Sequence, residues 1–455
     1  MEAMEEQPTT DSRRRSRGDL LAMLVVVLAS FVFTADQVAE HEMMSPIDEY
    51  QYVGYYASVA DEGIVRQGTP MPLYAKRYMV CNGVRAIPEM GVNPDGCRDP
   101  KSINYPIAGG TTADLYTPLY FLSIRALAQP LIWADVDFVD AGRAAGGFWL
   151  ALGAVFLYLA MRRMRTSLPV ALGLSLVLVG SLPAYWSTTY ISTDATAFAS
   201  GAIAAWLTMR ALQRVRWSLV LLPVAAAVFT LFKLQNLIGF VVAAAVLVLA
   251  ALVDAGKDQS QDRAGIGARL RAFLTDRRVL SAVAIGVLSV VAQGAWLAIR
   301  AALAVGPQPE LGLVVPLEGR HLVLELGNLL PLMAQGATSP YMTGPASLPD
   351  YAVGTLLAIG GAAGLAMSKG VPAILRIVGF ATVLVAILAA PALAIAIGVM
   401  EGVYIPIPNR YATSLFPWAL LSAALLIDTR RPWSRYAVLA LGAVTWSLSL
   451  MMGEG

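Results

Sequence analysis

Apolar runs close to 20 residues long recur along the whole chain and constrain its fold more than any other feature of the sequence. At a rise of about 1.5 Å per residue, a helix of ~20 residues matches a hydrocarbon core roughly 30 Å thick. Hydrophobic residues make up 57% of the 455 residues, only 14% are charged, and the mean hydropathy is +0.62. This composition is too apolar for an ordinary soluble domain. We therefore predict an all-α integral membrane protein.

The runs predict about eleven transmembrane helices. They lie at residues 20–35, 143–161, 167–185, 193–210, 217–232, 237–253, 279–303, 351–367, 372–398, 412–427 and 436–452. The chain then divides into a cytoplasmic N-tail (1–19), the first helix (20–35), a large first extracytoplasmic loop (36–142), helices 2–7 (143–303), a second extracytoplasmic loop (304–350) and helices 8–11 (351–455).

The first apolar run follows an arginine cluster at residues 13–17 and, on its own, resembles a secretory signal peptide. A small-residue cleavage site of the A-x-A kind does not follow it, because the run continues into Thr34, Ala35 and Asp36. We therefore predict a retained signal anchor.

Basic residues fix the predicted orientation. Most of the 33 Lys and Arg residues fall in the N-tail and in alternate segments between spans, whereas most of the acids fall on the other side. This positive-inside bias predicts a cytoplasmic N-terminus and an extracytoplasmic C-terminus. The basic residues form short clusters rather than one surface, which excludes nucleic acid as a partner. Ala richness and an excess of Arg over Lys favour a multi-pass protein of a bacterial plasma (inner) membrane.

Two further segments have the pattern of helices in the outer interface. Residues 116–133 are apolar and span-length but contain Pro118 and Arg125, and a crossing there would invert every later loop. Residues 320–335 alternate apolar and polar positions at helical spacing. We expect both segments to lie along the membrane surface rather than to cross it.

The chain has two cysteines, Cys81 and Cys97, and both fall in the first outer loop. Outside the membrane a disulfide is expected between them. Two free thiols are the alternative. A zinc site is less favoured, because two cysteines without a companion His lack the usual four ligands.

Asp48 and Glu49 follow the first predicted span by about a dozen residues. Paired carboxylates beside a low-dielectric boundary can have their pKa values pushed apart, which leaves one ionised as a general base. Asp114 is a further catalytic candidate, because it precedes the interfacial helix. The alternative is that these acids are only solvated loop residues.

Four more charged residues lie at the outer ends of predicted spans. Arg143 follows the acids Asp135, Asp137 and Asp140, and an arginine at the membrane surface suits a phosphate or carboxylate, although it can also simply snorkel. Asp194 opens a helix, and we predict that it belongs to the donor-binding residues together with Arg143, Lys233, Arg410 and Tyr411. A role as a helix cap is the alternative.

Lys233, together with Gln235, interrupts the outer turn between two predicted spans, and Arg410 with Tyr411 begins another span. Polar groups at such depths are costly and usually functional. Carboxylates that activate a hydroxyl and cations that hold a phosphate are the groups needed for transfer from a lipid phosphate. A transporter would instead place its polar groups at mid-bilayer, in two related halves.

These residues resemble the GT-C superfamily, the multi-spanning glycosyltransferases that use polyprenyl-phosphate sugars, including protein O-mannosyltransferases and lipid A aminoarabinose transferases. The resemblance is carried by an acidic pair in the first outer loop, a Pro-Leu-Tyr interfacial helix, an acidic stretch ending in Arg, an Asp-Ala helix start, an outer Lys and a late Arg-Tyr followed by Pro. The matching residues are Asp48, Glu49, Pro118, Leu119, Tyr120, Asp135 to Arg143, Asp194, Ala195, Lys233, Arg410, Tyr411 and Pro417. The usual His before Pro-Leu-Tyr is absent, and Tyr116 and Thr117 occupy its place.

The resemblance implies an inverting transfer of a sugar from a polyprenyl-phosphate donor to an acceptor hydroxyl on the extracytoplasmic face. Asp48 would be the base, and Lys233, Arg143 or Arg410 would hold the lipid phosphate. The implied partners are the donor, membrane lipids and a glycan, lipid or protein acceptor. Some members bind a metal, so a divalent cation is an open cofactor without assigned ligands. A transporter or flippase for a lipid-linked glycan, and a non-catalytic envelope assembly protein, are the alternatives.

Overall fold

The computed structural model describes residues 10–85, 105–255, 266–309, 315–428 and 432–453. Within these ranges the chain is helical, with two isolated β-bridges and no strand. The helices in chain order are α1 (Thr10–Glu40), α2 (Glu49–Glu62), α3 (Leu73–Asn82), α4 (Leu119–Trp133), α5 (Phe138–Ala144), α6 (Gly146–Arg163), α7 (Leu168–Val179), α8 (Leu182–Thr188), α9 (Thr196–Leu212), α10 (Ser218–Phe232), α11 (Leu237–Ala255), α12 (Ile266–Leu274), α13 (Arg277–Leu303), α14 (Gly319–Glu325), α15 (Leu329–Leu332), α16 (Ser347–Met367), α17 (Ala373–Glu401), α18 (Phe416–Ile427) and α19 (Pro432–Ser449). The prediction of an all-α protein is confirmed.

Seven helical segments are long and apolar enough to cross a membrane, as expected of a multi-pass protein. They are Arg17–Glu40, Phe138–Arg163, Leu234–Ala255, Arg277–Leu303, Ser347–Met367, Ala373–Val399 and Asn409–Ile427. An eighth candidate is the pair α7 and α8, which bends by 53° at Gly180 and Ser181. The bend has a local cause, because Pro183 at the start of α8 has no backbone N–H to continue the helix and Ser181 caps the new one.

The count of seven or eight is lower than the predicted eleven. Helices do occupy the three other predicted spans, but α9 has 17 residues, α10 has 15, and α19, with 18, is not apolar enough to qualify. α9 packs against α6, α10, α11 and α18, and its many small residues let these helices approach closely.

The helices of the outer loop rest on one end of this bundle. α4 buries Tyr120, Phe121 and Ile124 against α2 and α5 and exposes Leu119 and Leu122 on its other face. A helix that is apolar on both faces suits a position at the membrane surface.

The second predicted interfacial helix, at residues 320–335, is wrong as a single element. It consists of α14 and α15, and Gly327 between them has a φ of +77°, a left-handed conformation that ends the first helix.

Candidate functional site

Four charged side chains from distant parts of the chain converge at one end of the bundle. Asp48 occupies the N-cap position of α2, Asp194 lies in the 3-10 turn before α9, Lys233 lies between α10 and α11, and Arg410 lies in the 3-10 turn before α18. Each of these positions is a helix terminus at the same end of the bundle. The convergence follows from the folding pattern, because helix ends leave the backbone free to turn and present polar groups.

The four side chains form an alternating chain of charges. An Arg410 Nη2 atom lies 2.9 Å from Asp48 Oδ2, and Arg410 Nε lies 3.5 Å from Asp194 Oδ2. On the other side of Asp194, Lys233 Nζ lies 2.5 Å from Oδ1. Two acids and two bases offset one another, which makes the burial of such a group tolerable. We call these four residues the ionic cluster.

Exposure changes steadily across the ionic cluster. The Asp48 side chain is 33% exposed, Arg410 is 17% exposed, and Lys233 at the far end is 1% exposed. Among the described residues, Asp48 Oδ1 has no hydrogen-bond partner, since both Tyr52 and Arg410 donate to Oδ2. The cluster therefore has an open end with a free carboxylate oxygen and a closed end with a buried ammonium group.

Three tyrosines line the ionic cluster. The Tyr52 hydroxyl lies 3.3 Å from Asp48 Oδ2 and 3.1 Å from the Tyr116 hydroxyl. Lys233 Nζ lies 5.4 Å from the centre of the Tyr411 ring and 5.9 Å from that of Tyr116. Burial raises the pKa of both Tyr52 and Tyr116 well above the usual value, so each keeps its proton. The rings exclude water from the ammonium group, and the hydroxyls remain hydrogen-bond donors.

Tyr52 was missed by the sequence reasoning, although a signal existed. It lies four residues after Asp48, and side chains at that spacing share one helix face. Tyr116, which precedes the Pro-Leu-Tyr element, also contacts the ionic cluster through Tyr52 and Lys233.

Glu49 lies outside the ionic cluster and is fully engaged elsewhere. Its carboxylate accepts hydrogen bonds from Arg143 Nε at 2.9 Å and from Arg143 Nη2 at 3.0 Å. The same two oxygens accept the backbone N–H groups of Ile191 and Ser45, at 3.0 and 2.8 Å. Glu49 is 1% exposed, so no lone pair faces an open space. The predicted catalytic role of Glu49 does not fit this geometry.

Arg143 is equally saturated. Besides Glu49, its guanidinium donates to the backbone carbonyls of Met43 and His41 and lies 3.2 Å from Asp140 Oδ1. Its side chain is 0% exposed. The predicted phosphate-binding role of Arg143 does not fit this burial. The Glu49–Arg143 pair instead joins α2 and α5 to the segment that leads into Asp194, which is a positioning role. The remaining acids of the stretch are separate, and Asp137 caps α5 by accepting from Val139 N.

Asp114 forms a second separate pair. Its Oδ2 lies 2.7 Å from Arg300 Nε near the end of α13, and the adjacent Trp296 donates to Leu115 O at 3.0 Å. Burial raises the pKa of Asp114 above its usual value despite this pairing. The side chain is 1% exposed and no hydrogen bond joins it to the ionic cluster in the described residues, so the structure favours docking of α13 to the outer loop over catalysis.

The other residues of the resemblance have local roles. Tyr120, in the Pro-Leu-Tyr element, accepts the N–H of Ser192 at 3.0 Å and so steadies the turn that holds Asp194. Cys81 lies near the end of α3, but its predicted disulfide partner Cys97 and most of the 81–97 insert lie outside the described residues. In the described part of the chain, no group of three or more His, Cys, Asp or Glu residues could hold a metal ion, and we derive no step through one.

Comparison with protein-family models and with curated proteins gives no match for this chain. The assignment of function therefore depends on the geometry of the ionic cluster and on the resemblance of its residues.

Proposed function

We propose that this protein is a membrane glycosyltransferase that moves a sugar from a polyprenyl-phosphate donor to an acceptor hydroxyl at the extracytoplasmic surface. The main support for the proposal is the order of charge and exposure along the ionic cluster. A partly exposed carboxylate lies next to an arginine, and a buried lysine lies behind both. These are the parts that a transfer from a lipid phosphate requires.

In the proposed reaction the acceptor hydroxyl approaches the open end of the ionic cluster. Asp48 Oδ1 takes the hydroxyl proton, the acceptor oxygen forms a bond to the anomeric carbon, and the bond between that carbon and the phosphate oxygen breaks. The bonding electrons leave with the polyprenyl phosphate. Attack from the face opposite the phosphate inverts the anomeric configuration.

Arg410 and Lys233 stabilise the leaving phosphate in this scheme. Arg410 lies next to the open end of the ionic cluster with 17% of its side chain exposed, so its guanidinium group can donate to a phosphate oxygen there. Lys233 contributes charge from the closed end, where the low dielectric strengthens its field. Asp194 holds both cations in place, so we assign it a positioning role.

The experiment is a donor panel. Purified protein is incubated with several polyprenyl-phosphate sugars and a mixture of hydroxyl acceptors, and released polyprenyl phosphate is measured. We expect consumption of at least one donor. In parallel, sealed vesicles carrying a labelled lipid-linked sugar test for movement between leaflets. Movement without release would favour a transporter or flippase. The absence of both movement and release would favour a non-catalytic assembly protein. Either outcome would overturn the proposal.

A further inference from the structure

A large cavity lies at the opposite end of the bundle from the ionic cluster. Its volume is about 1350 Å³, and its walls come from the turn between α9 and α10, the first halves of α10 and α13, and Ile374 at the start of α17. Positive-inside bias assigns this end to the cytoplasm. The 15 residues of α10 separate it from Lys233, a length of roughly 22 Å. We call it the arginine groove.

A proline interrupts the hydrogen bonding of α10 at the wall of the arginine groove. Pro223 lies inside α10 and lines the cavity, and its ring nitrogen cannot donate to the carbonyl of Leu219 four residues earlier. Ser281 of α13 replaces that donor, with its Oγ 2.7 Å from Leu219 O. The interruption of α10 is therefore satisfied by a specific partner across the groove, which marks it as a formed feature rather than a packing defect.

Among the described residues, positive charge exceeds negative charge at the mouth of the arginine groove. Arg278 is held by two acids, at 2.7 Å from Asp254 and 2.8 Å from Asp276. Three other arginines at the mouth are exposed and have no acidic partner within the described ranges. They are Arg214, Arg216 and Arg277.

The walls below the arginines are apolar and open sideways. Val220 of α10 is 53% exposed and Leu280 of α13 is also 53% exposed. Trp217 stands exposed at the mouth, a position typical of the membrane interface. A soluble anion would use the arginines and leave these walls bare, whereas a lipid would use both.

We propose that the arginine groove binds an anionic phospholipid of the cytoplasmic leaflet, with its phosphate at Arg214, Arg216 and Arg277 and an acyl chain between α10 and α13. Basic pockets between membrane helices on the cytoplasmic side have the chemistry for such headgroups. Guanidinium groups pair with phosphate oxygens through two parallel hydrogen bonds. The site is independent of the ionic cluster and of the transferase proposal.

Lipid retention tests the charge component. Purified protein in neutral detergent is titrated with phosphatidylglycerol or phosphatidylcholine, and bound lipid is counted by native mass spectrometry. The test variant is the triple substitution Arg214→Gln, Arg216→Gln and Arg277→Gln. The control carries the same charge change on exposed arginines at the same end but outside the groove, at Arg163, Arg165 and Arg271.

We expect wild type and control to bind phosphatidylglycerol in preference to phosphatidylcholine. The test variant should bind phosphatidylglycerol roughly tenfold more weakly or worse, because each arginine near an anionic headgroup adds to the binding energy. Equal weakening in both triple variants would show general surface charge and overturn the proposal. Unchanged binding in the test variant would also overturn it, as would displacement of the lipid by inorganic phosphate.

A second pair of variants tests the acyl component without altering charge. Ala284→Phe fills the groove wall, and Ala298→Phe adds the same bulk to an exposed position later on α13. We expect only Ala284→Phe to reduce retention of phosphatidylglycerol, with thermal unfolding midpoints equal to that of wild type in both. Full retention in Ala284→Phe would place the lipid elsewhere and contradict the proposal.

Discussion

Asp48 and Glu49 are adjacent residues with opposite surroundings. Successive residues at a helix start point about 100° apart, so Asp48 faces the ionic cluster while Glu49 faces α5. Only Asp48 keeps a free oxygen. At the scale of single residues, the proposed division of labour is therefore a base at Asp48 and a structural ion pair between Glu49 and Arg143.

Glu49→Gln tests the structural role. Removing one partner of a buried ion pair leaves an uncompensated charge and costs about 3–5 kcal/mol. We expect a clearly lower thermal unfolding midpoint in detergent. Glu62→Gln, the same change at an exposed position on α2, should leave the midpoint unaltered. A Glu49→Gln protein as stable as wild type would show that the pair is not a structural tie.

The buried lysine Lys233 should make donor affinity depend on pH. Burial lowers the pKa of Lys233 below its usual value, although Asp194 opposes that shift. Lys233 is charged below its pKa and neutral above it, so donor affinity should fall, and KM for the donor rise, at a lower pH than an ordinary lysine would give. Lys233→Arg keeps its charge, since the pKa of arginine exceeds about 12. The donor affinity of Lys233→Arg should therefore fall only at a higher pH than that of wild type. The same loss of donor affinity at high pH in both proteins would contradict the phosphate-binding role of Lys233.

Helix contacts at the element scale depend on glycine. A Cβ on Gly173 of α7 would overlap the Val438 carbonyl of α19, and one on Gly442 would overlap the Gly173 carbonyl. Small residues at such crossings let helix backbones meet, which substitutes for the weak hydrophobic driving force in lipid.

Gly442→Val is therefore expected to separate α19 from α7 and lower the thermal unfolding midpoint, because the backbone atoms it meets cannot move aside. Gly360→Val on α16 meets nothing within 4 Å and is the matched control. The measurement is the unfolding midpoint of each variant beside wild type. Equal midpoints would show that α19 does not depend on this contact.

Helix positions were predictable because long apolar runs leave few alternatives in lipid. The number of spans was harder, since three of the predicted runs form helices that are too short or not apolar enough to qualify as crossings. The gathering of Asp194, Lys233 and Arg410 at one end followed from their places at helix ends. Their pairing did not, and neither did the Glu49–Arg143 or Asp114–Arg300 pairs, because partners 94 and 186 residues apart depend on how the helices pack.

The whole molecule has two chemically different ends. The ionic cluster occupies one end, and the arginine groove with its excess of positive charge occupies the other. The positive-inside rule predicts that the end with the arginine groove faces the cytoplasm.

Cysteine labelling tests that orientation. Ser260→Cys, in the segment between α11 and α12, should react with a membrane-impermeant thiol reagent only after the membrane is opened. Glu62→Cys, on α2, should react in intact cells. The parent chain with its native Cys81 and Cys97 measures the background. Labelling of Ser260→Cys in intact cells would show that the predicted membrane orientation is wrong.

The central claim is that Asp48 is the base of a sugar transfer, and the most direct test is the rate of polyprenyl phosphate release by Asp48→Asn with the donor that wild type consumes. We expect a loss of roughly 10²-fold or more, the usual scale of a positioned general base, with donor binding and unfolding midpoint retained. Asp61→Asn, at an exposed position of the same helix, should react at the wild-type rate. Release by Asp48→Asn at the wild-type rate would contradict the account.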